Sequence, residues 1–296
     1  FIDTASGYGD SQKKIGAALK GRDEKVVLAS KSGAGTKDAI LADVERSRSE
    51  MGVDCVDLYQ LHGVSSKEKY EKVIGPGGAL EGLIEARDKG MIGHIGVTSH
   101  SLDLSLQMVE NSSFETLQFP FNLVTREPEE KLIPKVRELG LGFIVMKPMC
   151  GGMYDNANFP FKFLNGYSDL VPIPGIETPA EIEEIVPLVE SGDKLEGEEL
   201  EAAEKVAADL GKVFCRRCGY CMPCPNGVPI TFPGIIFPSL AARLPKDKVA
   251  AGPAKVMVEQ VTQCTECGVC VERCPYDLPI PGLLKKHVEQ ARTFLE

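Results

Sequence analysis

Eight of the chain's ten cysteines fall in two short runs near its C-terminus. The first is Cys215-Arg-Arg-Cys218-Gly-Tyr-Cys221-Met-Pro-Cys224-Pro225; the second is Cys264-Thr-Glu-Cys267-Gly-Val-Cys270-Val-Glu-Arg-Cys274-Pro275. Cysteine used as a small core residue is scattered along a chain. Here the thiols recur at a spacing of three, so this part of the chain must fold around bonds made by sulfur.

The second run reads C-x2-C-x2-C-x3-C-P, the spacing with which bacterial ferredoxin segments ligate [4Fe–4S] clusters. Three cysteines wrap one corner of a cluster, and the fourth, on a proline-directed turn, reaches the neighbouring cluster. Two runs therefore imply two clusters with exchanged fourth ligands. Cys215, Cys218, Cys221 and Cys274 are expected on one, and Cys264, Cys267, Cys270 and Cys224 on the other. The first run has two residues rather than three before its last cysteine, which leaves open the cluster that Cys224 serves. The alternatives are a pair of structural zinc sites, which usually join two separate C-x2-C hooks, and a disulfide framework, which belongs to secreted chains.

With 296 residues the chain has room for one large domain and a small one. A net charge of −10 opposes nonspecific binding to nucleic acid or anionic membranes. No apolar run approaches the roughly 20 residues of a membrane helix. Phe1 falls inside a strand-like stretch, so the N-terminus is expected to be incomplete. Clusters of this kind need reduced thiols, which points to a reducing cytoplasm.

Strands are expected at Phe1–Thr4, Val26–Ala29, Val56–Leu61, Ile92–Val97, Glu115–Phe119, Phe143–Met146 and Leu170–Ile173. Helical patterns alternate with them: 11–19, 37–51, 79–89, 102–110, 127–139, 161–164 and 179–189. Repeated βα units with almost continuously apolar strands predict a parallel sheet covered by helices. An eighth strand, expected in the missing N-terminal part, would complete a (β/α)8 TIM barrel. The expected domains are a barrel over 1–192, a linker helix over 193–212 and a small helical ferredoxin-like part over 213–296. Residues 233–262 are expected to form helix and turn, and Pro281–Leu295 an amphipathic helix.

In such a barrel, chemistry sits where strands end at the C-terminal face. Asp3, Tyr8, Lys31 and His62 follow three successive strands, and Thr98, Ser99, Gln118 and Lys147 follow later ones. The first four suit proton donation by a phenol, whose ordinary pKa near 10 needs help near neutrality. An ammonium supplies that help, a carboxylate holds the ammonium, and an imidazole orients a carbonyl. Asp3-Thr-Ala-Ser-Gly-Tyr8-Gly9, Ser30-Lys31, Leu61-His62, Gly96-Val-Thr-Ser-His100 and Val171-Pro-Ile-Pro-Gly-Ile176 together resemble the aldo/keto reductase superfamily. With the cysteine runs, the chain resembles its branch carrying a C-terminal [4Fe–4S] domain.

The resemblance implies Tyr8 as general acid, Asp3 and Lys31 as its tuners and His62 as orienter of the carbonyl. It also implies Thr98, Ser99 and Gln118 around a nicotinamide carboxamide, with Gly175 and Thr178 at the nucleotide loop. Departures are Met146 where an aromatic residue usually lies, Gly175 and Glu181 where basic residues often take a 2′-phosphate, and Ile185 at an adenine-contacting position. A carboxylate repels a 2′-phosphate, so of NAD(H) and NADP(H) the second is disfavoured, and NAD(H) or weak nicotinamide binding is expected. Among the remaining residues, Cys55 reads as a buried small hydrophobe, Cys150 as core filler with a reactive thiol as the alternative, and His94 and His287 as non-ligands.

The expected function is oxidation or reduction of a small carbonyl or alcohol, coupled to two clusters. A hydride carries two electrons and a cluster one, so a flavoprotein or electron-carrier partner is expected to bridge them. The rival is an electron-transfer or scaffold subunit whose barrel no longer turns over. It is supported by the departures at Met146, Glu181 and Ile185 and opposed by the retained Asp3, Tyr8, Lys31 and His62.

Overall fold

The computed structural model describes residues 1–22, 25–154, 156–231 and 246–295. It divides into two compact units. One comprises residues 1–121, 126–146 and 167–175; the other comprises 122–125, 147–166 and 176–296.

The first unit is built on seven parallel strands hydrogen-bonded in sequence order. They are β1 (Ile2–Asp3), β2 (Leu28–Ser32), β3 (Val56–Leu61), β4 (Ile92–Thr98), β5 (Thr116–Pro120), β6 (Gly142–Met146) and β7 (Leu170–Ile173). Helices α1 (Ser11–Leu19), α2 (Lys37–Met51), α3 (Lys67–Ile74), α4 (Ala79–Asp88), α5 (Leu102–Met108) and α6 (Leu132–Glu138) lie between them in the chain. All five residues of β2 are buried, as a parallel strand flanked by side chains on both faces requires. Ala29 of β2, Leu58 of β3 and Ile144 of β6 form one apolar cluster, with Ile173 of β7 against it. Early and late strands thus share one interior, and the sheet curls into the nearly closed barrel of a (β/α)8 fold.

Several local outcomes differ from the sequence reading. Helix α3 was not foreseen; its N-cap is Ser66, whose Oγ accepts from Lys69 N. The single helix expected over 127–139 is a 3-10 turn at Glu127–Glu129 followed by α6. Pro134 explains the break, because it has no N–H and its ring clashes with the carbonyl four residues earlier. Cys55 is exposed, not buried; it lies just before β3.

The second unit contains α7 (Asn158–Leu164), α8 (Pro179–Ser191) and α9 (Gly197–Gly211), the last being the expected linker helix. Glu199 of α9 accepts hydrogen bonds from Asn158 and Lys162 of α7, both at 2.7–2.8 Å. Beyond α9 lies the cysteine-rich part, with helices Lys255–Gln260 and Ile280–Arg292. Of the expected helix-and-turn segment 233–262, residues 233–245 lie outside the described residues, and the rest is helical. The C-terminal helix buries Ile280, Leu284, Val288 and Ala291 on one face. Among the described residues no helix is long and apolar enough to cross a membrane.

One glycine joins the barrel's architecture to its polar interior. Gly96 of β4 is paired in register with Gln60 of β3. A methyl on Gly96 would lie 2.2 Å from Thr116 Oγ1 and 3.0 Å from Gln60 Cγ. Gly96→Ala is therefore expected to destabilise the fold by about 1–3 kcal/mol through overpacking. A lowered midpoint in thermal unfolding checks this; an unchanged midpoint would show that the interior can yield there.

Candidate functional site

The C-terminal ends of β1 to β5 gather polar side chains that a parallel barrel would otherwise exclude. Lys31 of β2 is 1% exposed, and its ammonium donates to Asp3 Oδ2 and, at 2.8 Å, to the Thr4 carbonyl. Desolvation is the largest influence on both members of the pair. It raises the Asp3 pKa and lowers that of Lys31, while their mutual attraction opposes both shifts. The same ammonium lies 5.2 Å from the centre of the Tyr8 ring, and that ring meets His62 edge-on at 5.8 Å. Tyr8 is half exposed, so its phenol is open to solvent beside a buried cation.

Gln60 is a member of this network that the sequence reading missed. It is fully buried, and its Nε2 donates to Asp3 Oδ1 at 3.4 Å and to Gln118 Oε1 at 2.9 Å. The signal was a lone amide inside the apolar stretch Val56–Leu61, in register with Lys31. Thr98 Oγ1 accepts from Gly63 N at 2.7 Å, holding the turn just past His62. Lys69 of α3 closes the same turn from the other side, donating to the His62 and Gly63 carbonyls at 2.7 and 3.1 Å. Ser99 is buried, its N–H on the Gln118 carbonyl and its Oγ accepting from Ser101 N.

Gly175 follows β7 and is exposed. Thr178 caps α8 in a capping box with Glu181. The Glu181 carboxylate accepts from the N–H groups of Glu177 and Thr178 at 2.5 and 2.9 Å, so these donors are already engaged by an anion. Cys150 is fully buried and its thiol is pushed up to about 12 by burial, which suits a packed, inert sulfur. Lys147 precedes it with positive φ; burial, with repulsion from Arg217, brings its ammonium down to about 7. His94 is paired with Glu115 at 2.6 Å on the surface.

In the cysteine-rich part, two hollows each draw thiols from both runs. One is lined by Cys215, Cys218, Cys221 and Cys274. The other is lined by Cys264, Cys267, Cys270 and Cys224. The two runs share a backbone as well as a spacing. Arg217 and Glu266 have φ of 63° and 55°, and Gly219 and Gly268 have 85° and 81°. Such left-handed positions turn N–H groups towards sulfur, and Arg217 N lies 3.4 Å from Cys215 Sγ.

The repeat continues past each last cysteine, as Cys224-Pro-Asn-Gly-Val-Pro-Ile230 and Cys274-Pro-Tyr-Asp-Leu-Pro-Ile280. Val228, Ile230, Leu278 and Ile280 are all buried, one pair against each hollow. Burial pushes the Cys215, Cys218, Cys221 and Cys270 thiols up, Cys221 to about 12, so binding a metal there must displace protons.

Comparison with known proteins matches residues 1–162 to the aldo/keto reductase family. Residues 214–278 match a 4Fe-4S dicluster domain. The aldo-keto reductase YhdN of Bacillus subtilis (strain 168) is 29% identical over 167 residues, covering 52% of this chain and 49% of that protein. The chain thus spans about half the length of this curated relative. Among solved structures, an aldo-keto reductase of Bacillus halodurans (holo form) superposes with a TM-score of 0.58 at 20% identity, over 69% of this chain and 81% of that one. One from Klebsiella pneumoniae, in complex with NADPH, gives 0.57 at 20%, over 70% and 79%. At these identities the superpositions speak for the fold.

The Asp3–Lys31 pair yields a stability prediction. Lys31→Met leaves a buried carboxylate without its cation and is expected to cost about 3–5 kcal/mol. The double variant Asp3→Asn with Lys31→Met removes both charges and should regain most of that loss. Denaturant unfolding of the two variants decides: equal losses would mean the pair is not coupled.

Proposed function

Given that the chain belongs to the aldo/keto reductase family and carries an iron–sulfur domain, we propose that it oxidises or reduces small carbonyl or alcohol substrates with Tyr8 as general acid. The observation carrying this reading is the buried Lys31 ammonium, held by Asp3 and set close to the Tyr8 ring. A fixed cation favours phenolate over phenol and so makes Tyr8 a better proton donor near neutrality. His62, edge-on to Tyr8, orients the substrate carbonyl for that proton.

Thr98, Ser99 and Gln118 hold the carboxamide of a nicotinamide, the group that supplies or accepts the hydride, and Gly175 and Thr178 flank its nucleotide. Gln60 is a positioning residue, since it fixes Asp3 and Gln118 with one amide. Glu181 repels a 2′-phosphate, which favours NAD(H) over NADP(H).

The cysteine-lined hollows fit iron–sulfur clusters: each offers four thiols from two runs, and apolar walls back them. Cys215, Cys218, Cys221 and Cys274 hold one [4Fe–4S] cluster, and Cys264, Cys267, Cys270 and Cys224 a second; such clusters supply single-electron storage. A flavoprotein or other electron-carrier partner reconciles single electrons with the hydride, and a reducing cytoplasm keeps the thiols available. The domain limits proposed for this division of labour are 1–192, 193–212 and 213–296.

Protein prepared without oxygen is expected to carry about eight irons and matching sulfide, two [4Fe–4S] clusters per chain. Tyr8→Phe should lower turnover of a panel of small aldehydes and ketones by about 100- to 10,000-fold while leaving iron content unchanged. Full turnover by Tyr8→Phe would remove the general acid assigned here. Wild-type protein that binds neither NADH, NADPH nor flavin would favour the electron-transfer subunit, a reading consistent with Glu181 occupying the start of α8.

A further inference from the structure

The two cysteine-lined hollows are alike in ligand number and unlike in access. Cys267 is the one exposed thiol of the eight, and Cys264 and Cys224 of the same set are half-buried. Pro225, Asn226, Thr265 and Glu266, which line that hollow beside Cys267, are exposed as well. Asn226 Nδ2 donates to Thr265 Oγ1 at 2.8 Å, so the two cysteine runs meet in one polar rim over the set. Glu266 in this rim pairs with Lys285 at 2.5 Å. The hollow of Cys215, Cys218, Cys221 and Cys274 differs: none of the described residues lining it is exposed. Arg216 and Tyr276 both line it, and the guanidinium lies 4.0 Å from the centre of the tyrosine ring. Arg216 is held there by the Val124 carbonyl, to which Nη2 donates at 2.9 Å.

The sets are also close neighbours. Cys221 and Cys224 line different hollows, and so do Cys270 and Cys274. Three residues of chain, the separation of Cys221 from Cys224, span at most about 11 Å. An electron that reaches either cluster therefore has a short path to the other. The path from outside is what differs, because a carrier's redox centre must come close to a cluster before an electron can cross. Resting on the reading above that each set holds a [4Fe–4S] cluster, we propose that the cluster of Cys264, Cys267, Cys270 and Cys224 is the chain's electron port. A one-electron carrier docks on the rim of Asn226, Thr265 and Glu266. Its reduced centre loses one electron, the port cluster gains it, and the Cys215–Cys274 cluster exchanges electrons with the carrier through the port. The rim is small and polar, which suits the limited interfaces of electron-transfer encounters.

The test is electron uptake by the full-length, anaerobically prepared chain from reduced methyl viologen, a one-electron donor. Stopped-flow bleaching of the cluster absorption gives the second-order rate. Thr265→Trp puts bulk on the rim and should slow uptake by both clusters severalfold. Thr265→Val loses the hydrogen bond without adding bulk and should stay near wild type. Val213→Trp adds bulk at an exposed residue close to Cys215 in the chain and should also stay near wild type. If Thr265→Trp binds less iron than wild type, Asn226→Trp on the facing run carries the same expectation. Undiminished uptake in the rim tryptophan variants, a valine variant as slow as tryptophan, or equal slowing by Val213→Trp would each overturn the proposal. A wild type with fewer than two reducible clusters would overturn the two-cluster reading itself.

Discussion

One buried ion pair lies at the centre of the barrel's polar network. Removing an ammonium and a carboxylate from water costs several kcal/mol for each ion, and Lys31 and Asp3 meet where both are almost wholly desolvated. The cost is offset by their attraction, by the Thr4 carbonyl and by the Gln60 amide. That arrangement exists only while Lys31 and Gln60 share a register row and both point into the barrel. A slip of one residue would turn the polar set outward and the alternate side chains inward. Strand pairing and site geometry are therefore one constraint, and Gly96 is part of it because no larger residue leaves room for Gln60.

The cysteine-rich part answers to a different constraint. Its core includes Cys221, Cys270 and Cys274, so the proposed ligands and the core are the same residues there. Metal binding and folding are expected to be linked there, since burial raises the Cys221 and Cys270 thiols and a metal must displace their protons. The seven-residue echo after each run, with a valine or leucine and an isoleucine buried at matching places, gives both hollows the same apolar floor. Differences between them then arise from what lies around that floor, above all Arg216 on one side and the Glu266–Lys285 pair on the other.

Much of this was legible in the sequence because strands of a covered parallel sheet are apolar throughout and stop at a polar residue. Phe143–Met146, apolar throughout and followed by Lys147, shows the rule. The same rule hid Gln60, because an amide inside an apolar run looks like tolerated noise until the neighbouring strands supply Asp3 and Gln118. Lys69 was hidden with its helix: α3 is short and its face mostly polar, so its contact with the His62 turn had no periodic signature. Cys55 was misjudged because a cysteine beside an apolar run was read as buried with it, although it precedes the strand. The break at Pro134 was readable from backbone chemistry alone. The echo in Cys224–Ile230 and Cys274–Ile280 was readable too, but only once the two runs were aligned past their last cysteines.

On the proposed role of Tyr8, the buried Lys31–Asp3 pair tunes its phenol. Ultraviolet difference titration of the intact chain against Tyr8→Phe isolates the ionisation of that one tyrosine and needs no substrate. Tyr8 is expected to ionise at lower pH in the wild type than in Lys31→Met. Ionisation at the same pH in both proteins would contradict it.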